Sequence, residues 1–247
     1  MTDLRVPAVY GHRGAMGYCI ENTIPCFKKA VNMGAGIESD VQLTGDNVLI
    51  CFHDYFINFN SNSHDIKKLT YEKLRSIKFK DKRIIPTVHD LFTTFNQSYR
   101  HLLFSFDIRD KNSGFEIIKV AEFFDKLNQI TITDMRPNIL KCVREFNEEV
   151  KLVHTIPTWV IKVNQSSINF EKLKDLDVQA LNIRIGRRIK DNFKEIINNG
   201  FKCYIWGVNS KSQMKNALNL KYSDEVVTAI YTDYPDILIK LRKKFYF

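Results

Sequence analysis

The chain has no apolar run near the roughly 20 residues that a bilayer-spanning helix needs, which argues against a membrane-embedded protein. It also lacks any CxxC pair: Cys19, Cys26, Cys51, Cys142 and Cys203 are scattered and odd in number, so neither a zinc cluster nor a disulfide framework is expected. These cysteines read as reduced, mostly buried thiols. The first seven residues offer neither a basic nor an apolar leader segment, and a cytoplasmic protein is the expectation. No Gly-rich phosphate loop follows any strand-like run, which weakens a dinucleotide-binding reading. Fixed-period repeats, low-complexity tracts and linkers are absent too, so residues 1–247 read as a single domain. Acidic residues are in short supply, 28 against 37 Lys and Arg. The resulting net charge of +9 draws anions, whether nucleic acid, anionic lipid or phosphorylated small molecules. No basic stripe interleaved with aromatics or recognisable nucleic-acid motif is present, so no nucleic acid is expected.

What the chain does contain is ordinary globular material, 44% hydrophobic and 26% charged, arranged as short β-branched runs alternating with helical patterns. Residues 8–10 and 36–41 read as the first two strands, with a helix over 23–33 between them, opened by Asn22 or Thr23 and stopped at Gly34. Thr44 to Asn47 supplies a turn, and 48–52 returns as a hairpin arm. Residues 55–86 form a polar, mixed excursion with one short helix over 70–77, and a helix over 88–95 follows. Strands over 102–108, 130–133, 150–154, 180–185, 202–208 and 229–232 then alternate with helices over 115–127, 138–146, 170–176, 191–198, 212–220 and 235–245. About eight βα units result, and the predicted fold is an α/β, single (β/α)8 TIM barrel with a hairpin and loop excursion after the second strand. A doubly wound open sheet is the alternative.

In such a barrel the functional residues sit at the C-terminal ends of the strands. The first predicted strand ends in Gly11-His12-Arg13-Gly14, the second carries Glu38-Ser39-Asp40, the hairpin arm ends in His53-Asp54 and the third strand carries Asp107-Ile108-Arg109. The two-residue spacing puts Glu38 and Asp40 on one face of a strand, and Asp107 with Arg109 on one face of the next. Three carboxylates turned to one enclosed point repel unless a cation neutralises them, and oxygen-only ligands favour Mg²⁺ or Ca²⁺. Arg13 and Arg109 match phosphate oxygens, and His12 and His53 titrate where a hydroxyl must lose a proton and a leaving oxygen gain one. Phosphodiester cleavage fits this inventory. His64, His89, His101 and His154 lack such company and read as structural, His154 lying nearest a strand end.

These residues, with Glu21-Asn22-Thr23, Phe27, Ala30, Gly36, Thr44 and Asp46, resemble the glycerophosphodiester phosphodiesterase family. Trp206-Gly207-Val208-Asn209 and Thr232-Asp233-Tyr234-Pro235-Asp236 resemble its closing motifs. The resemblance implies a barrel hydrolase that splits glycerophosphodiesters into sn-glycerol 3-phosphate and an alcohol such as choline or ethanolamine. His12 and His53 would be the acid/base pair, Glu38, Asp40 and Asp107 the metal ligands, and Arg13 the phosphate holder. Glu21 would be an outer ligand or an orienter of His12 or Arg13, and Trp206 an apolar wall near the glycerol. The chain departs from the family pattern in three places. Asp107-Ile108-Arg109 replaces Glu-x-Lys, Ile20 replaces a proline, and Tyr55 to Asn60 replaces an Arg-Thr-Thr run. That last segment borders the expected cleft, so leaving-group selectivity does not transfer.

Two other readings keep the barrel. One is a phospholipase or lysophospholipase D-type phosphodiesterase acting on a lipid, with basic charge and the aromatics of residues 55–60 meeting an anionic membrane peripherally. The other is a non-catalytic binding protein, which loses weight because both histidines and all three carboxylates are present.

Overall fold

The computed structural model describes residues 6–96 and 99–246. The first five residues, on which the reading of the N-terminal segment partly falls, lie outside the described residues. The β-branched runs become strands β1 (Ala8–Gly11), β2 (Gly36–Leu43), β6 (Phe104–Ile108), β7 (Ile130–Asp134), β8 (Lys151–Thr155), β9 (Val178–Arg184), β10 (Lys202–Trp206) and β13 (Ala229–Thr232). All eight pair in parallel in the order β1-β13-β10-β9-β8-β7-β6-β2, and β1 pairs with β2 to close the ring. The fold is the predicted barrel.

The helices return each strand to the bottom of the next. They are α1 (Ile24–Asn32), α2 (Tyr71–Ser76), α3 (Val88–Thr94), α4 (Lys111–Phe123), α5 (Pro137–Phe146), α6 (Phe170–Asp175), α7 (Ile189–Asn198), α8 (Lys211–Leu218) and α9 (Pro235–Tyr246). Their apolar faces and the outward faces of the strands form one continuous core, in which Phe27, Phe92, Phe104 and Phe193 are fully or almost fully buried. Burying a Phe of this kind stabilises the fold by ~1.5–3 kcal/mol. Among the described residues no helix is long and apolar enough to cross a membrane.

Three differences from the expected layout have local causes. The excursion holds a hairpin, β4 (Phe56–Phe59) with β5 (Asn62–Asp65), and a second small hairpin joins β11 (Lys221–Tyr222) to β12 (Glu225–Val226). Both turn on two residues at positive φ, Asn60-Ser61 and Ser223-Asp224, so neither carries the glycine that usually announces such a turn. Thr23 occupies the N-cap of α1, but its hydroxyl donates back to the carbonyl of Ile20 at 2.7 Å and Pro25 opens the first turn. Finally, the thiol reading needs correction at two positions. Cys19 and Cys26 are disulfide-bonded, with Cα atoms 5.4 Å apart, while Cys51, Cys142 and Cys203 are free. A seven-residue spacing across a loop and a helix start has no CxxC signature, which is why spacing alone did not reveal the bridge.

Candidate active site

The turn after β1 is built on close backbone approach. A Cβ on Gly11 would meet the carbonyl of Gly14 at 2.6 Å, and one on Gly14 would lie 2.8 Å from the backbone of Cys26. Gly14 also sits at φ +87°, which glycine adopts without cost. Between them His12 and Arg13 leave the strand at the barrel mouth. His12 Nδ1 lies 2.8 Å from Asp233 Oδ1, just beyond β13. Asp233 is itself fixed, its Oδ2 accepting from Asn209 Nδ2 at 2.5 Å and its backbone N–H donating to Asn209 Oδ1 at 2.9 Å. Burial works against charge on His12, but the Asp233 bond and the field of Glu38 outweigh it, so its pKa is raised.

Arg13 ties the acidic residues together. Its backbone N–H donates to Glu38 Oε2 at 2.7 Å, its Nη1 to Glu21 Oε2 at 2.8 Å, and its Nε lies 3.0 Å from Asp40 Oδ2. Asn22, at φ +53°, donates to the same Asp40 oxygen at 3.0 Å and accepts from Ser39 Oγ at 2.8 Å. The register then places Asp40 directly opposite Asp107 on the neighbouring strand. Burial pushes the Glu38 carboxyl up to about 7, with Asp40 adding to the effect. Asp107 is held well above the usual carboxylate range by the protein enclosing it and by Asp40, Glu38 and Asp134, although its side chain keeps contact with solvent through the mouth.

His53 arrives from outside the ring. Strand β3 (Leu49–Cys51) runs antiparallel to the upper end of β2, and Gln42 Nε2 donates at 2.8 Å to the carbonyls of both Phe52 and Asp54, bracketing His53. His53 Nδ1 is 2.7 Å from Asp54 Oδ1. A cleft of about 310 Å³ is lined by His53, Asp40, Asp107, Arg109, Tyr55 and Arg136, among others. The Arg109 guanidinium lies over the Tyr55 ring, and its Nε and Nη2 are buried without a hydrogen-bond partner. Burial, then the neighbouring Arg136, lowers its pKa to about 10. A cation this poorly compensated is a ready acceptor for an anion.

The predicted residues thus fall into one connected set, with one outlier. His12, Arg13, Glu21, Glu38 and Asp40 are linked by hydrogen bonds, ion pairs or the Glu38 field, and Asp40 shares the cleft with His53, Asp107 and Arg109. Trp206 stands apart at the end of β10, packed on the Tyr10 and Tyr231 cluster with Arg184 over its ring at 5.4 Å and its Nε1 buried without a partner. His154 is buried, and burial lowers its pKa to about 4. Two residues escaped sequence reasoning. Asp134 ends β7 and accepts from Arg136 N, Nε and Nη2 at 2.6, 2.9 and 2.6 Å. Arg136 Nη2 also donates to the carbonyl of Arg109 at 2.9 Å. The rule of polar residues at strand ends would have found Asp134, had that strand been drawn one residue longer.

Among the described residues no three His, Cys, Asp or Glu side chains form a ready coordination sphere, Asp40 being turned to Arg13 and Asn22. The chemistry of Glu38, Asp40 and Asp107 nonetheless fits a hard divalent cation. They are all-oxygen donors, and the burial and neighbouring carboxylates that raise the pKa of Glu38 and Asp107 are what such an ion would offset.

The family model described as the glycerophosphoryl diester phosphodiesterase family matches residues 12–237, from the first of these histidines to beyond Asp233. The chain belongs to the glycerophosphoryl diester phosphodiesterase family. It is thus a phosphoric diester hydrolase. Among relatives of this family, the Bacillus subtilis protein YhdW is 30% identical, over 94% of this chain and 96% of its own. A glycerophosphodiester phosphodiesterase of Caldanaerobacter subterraneus is 27% identical over 96% of this chain and 98% of its own. An Oleispira antarctica phosphodiesterase, solved with its product sn-glycerol 3-phosphate, superposes with a TM-score of 0.79 over 95% of this chain and 96% of its own. At 19% identity that likeness speaks for the shared barrel.

Proposed function

We propose that the protein hydrolyses small glycerophosphodiesters to sn-glycerol 3-phosphate and an alcohol, with His12 and His53 as the acid/base pair. The observation that carries this reading is the cleft itself, where His53, Asp40 and Asp107 share the lining with Arg109, whose Nε and Nη2 have no hydrogen-bond partner. Arg109 takes nonbridging phosphate oxygens. Arg13, paired here with Glu21 and Asp40, would be the second guanidinium available to the phosphate. Glu38, Asp40 and Asp107 would hold Mg²⁺ or Ca²⁺, and such an ion supplies Lewis acidity and charge neutralisation at the phosphoryl group. One imidazole removes a proton from the attacking hydroxyl while the other donates one to the leaving oxygen. Asp233 supports this by accepting from His12 Nδ1, which leaves Nε2 free to act.

The test is release of sn-glycerol 3-phosphate from glycerophosphocholine by the purified protein with Mg²⁺, Ca²⁺ or EDTA. Turnover that depends on the ion and stops with EDTA is the expected result. Full turnover in EDTA would refute the role given to the carboxylates.

A further inference from the structure

The loop after β8 exposes apolar side chains that the catalytic reading does not use. Trp159 is 73% and Ile161 72% exposed, more than Tyr55 or Phe56, both 56%. The backbone that follows Trp159 is pinned by hydrogen bonds. Asn192 of α7 accepts from Val163 N at 3.0 Å and donates to the Ile161 carbonyl at 3.1 Å, and Asn164 accepts from the backbone of Ser166 and Ser167 at 3.1 Å. Beneath the loop lies a cavity of about 620 Å³ walled by Ile156, Val163, Ile183 and Ile189, with Arg184, Arg187 and Arg188 also lining it. Among the described residues none of these three arginines is in an ion pair, and Asp191 is the acidic residue that shares the cavity lining.

The position of this patch matters as much as its composition. The loop follows the C-terminal end of β8, the same barrel face as the cleft, and Thr155 lines the cleft while the next residue, Ile156, lines the cavity. Met135, 44% exposed after β7, and the exposed Tyr55 and Phe56 lie on that face as well. An apolar and cationic patch at one side of that face matches a surface whose outer layer is phosphate and whose next layer is acyl chain. Indole is the side chain best suited to that boundary, and arginine forks suit headgroup phosphates.

We propose that this face docks on an anionic phospholipid surface, with Trp159 and Ile161 entering the headgroup–acyl boundary and Arg184, Arg187 and Arg188 pairing with lipid phosphates. The charge of the arginines selects this occupant over a neutral apolar partner. Docking stands independently of which diester the cleft cleaves, because it is read as binding.

The test is co-sedimentation of the full chain with phosphatidylcholine vesicles, with and without about 30 mol % phosphatidylglycerol. Binding to the anionic vesicles, weakened in about 0.5 M salt, is expected. Trp159→Ser with Ile161→Ser should weaken it about ten-fold or more, and Arg187→Gln and Arg188→Gln about five-fold each. The bound protein should show blue-shifted indole emission that Trp159→Phe, which keeps Trp206, removes. Unchanged turnover of soluble glycerophosphocholine in the Ser variants reports an intact fold. Equal binding to neutral vesicles, no binding to anionic ones, or unaltered binding by the Ser variants would overturn the proposal. So would a concentration-dependent dimer that the Ser variants abolish in the absence of lipid.

Discussion

Asp233→Asn tests the link between barrel closure and chemistry, because the structure dictates how the new amide must sit. Asn209 Nδ2 donates to Asp233 Oδ2 at 2.5 Å, so the amide oxygen of an Asn at this position must face Asn209. Its NH₂ then faces His12 Nδ1, which in the native protein lies 2.8 Å from a carboxylate oxygen. A donor there forces Nδ1 to accept, places the ring proton on Nε2, and disfavours the imidazolium form that either the base or the acid role must pass through. Loss of the charge-assisted bond alone costs about 1.5–3 kcal/mol, and a reversed tautomer extends the loss to about 10²–10⁴ in turnover. The assay is the pH profile of kcat with glycerophosphocholine. The limb that reports His12 should move to lower pH, since the Asp233 bond helps raise its pKa. The same group sets the sign for stability. A raised folded-state pKa stabilises the fold below the unfolded imidazole value, and this is lost as pH rises through the folded value. The melting point of Asp233→Asn should therefore fall further below that of the native protein at acidic than at alkaline pH. Turnover within about three-fold of native with an unmoved limb would refute the positioning of His12 by Asp233.

His53→Ala should lower turnover by about 10²-fold or more with little change in melting point, since His53 stands at the exposed end of β3; near-native kinetics would remove it from the acid/base pair. Glu38→Gln should raise the Mg²⁺ or Ca²⁺ concentration for half-maximal activity by about ten-fold or more, and an unchanged metal titration would exclude it as a ligand. Phe106→Ala, which empties a fully buried position of β6, should cost about 3–5 kcal/mol in denaturant unfolding. Reducing the Cys19–Cys26 bridge, which closes a short loop, should cost about 2.5 kcal/mol by the chain-entropy argument, read as a lower melting point in dithiothreitol.

The barrel was legible because its strands are short β-branched runs separated by amphipathic helices, a pattern that no open tertiary contact has to complete. The site was legible where the two-residue period acts within one strand, as for Glu38 with Asp40 and Asp107 with Arg109. What sequence could not supply were contacts between remote segments. Asp233, held by Asn209, meets His12 only after β13 pairs with β1, a separation of 221 residues between His12 and Asp233. Arg13, expected to hold phosphate, is also the tie between Glu21, Glu38 and Asp40, through its charge to Glu21 and Asp40 and through its backbone N–H, turned by a positive φ, to Glu38. The tightly turned hairpins escaped because Asn-Ser and Ser-Asp adopt positive φ without a glycine to signal it.

Gln42 ties the start of the excursion to the barrel wall. One side-chain amide fixes the backbone on both sides of His53, while Lys67 Nζ reaches Asp110 Oδ2 at 2.5 Å and the excursion keeps its own small core of Ile50, Phe52, Ile57, Ile66, Leu74 and Ile85. The backbone on either side of His53 is therefore anchored from β2, while Ile57, Ile66, Leu74 and Ile85 of the excursion support it through Ile50 and Phe52. The imidazole is thus moored to the barrel wall rather than carried by the loop, so changes confined to the exposed tip at Asn60-Ser61-Asn62 should leave its backbone where it stands.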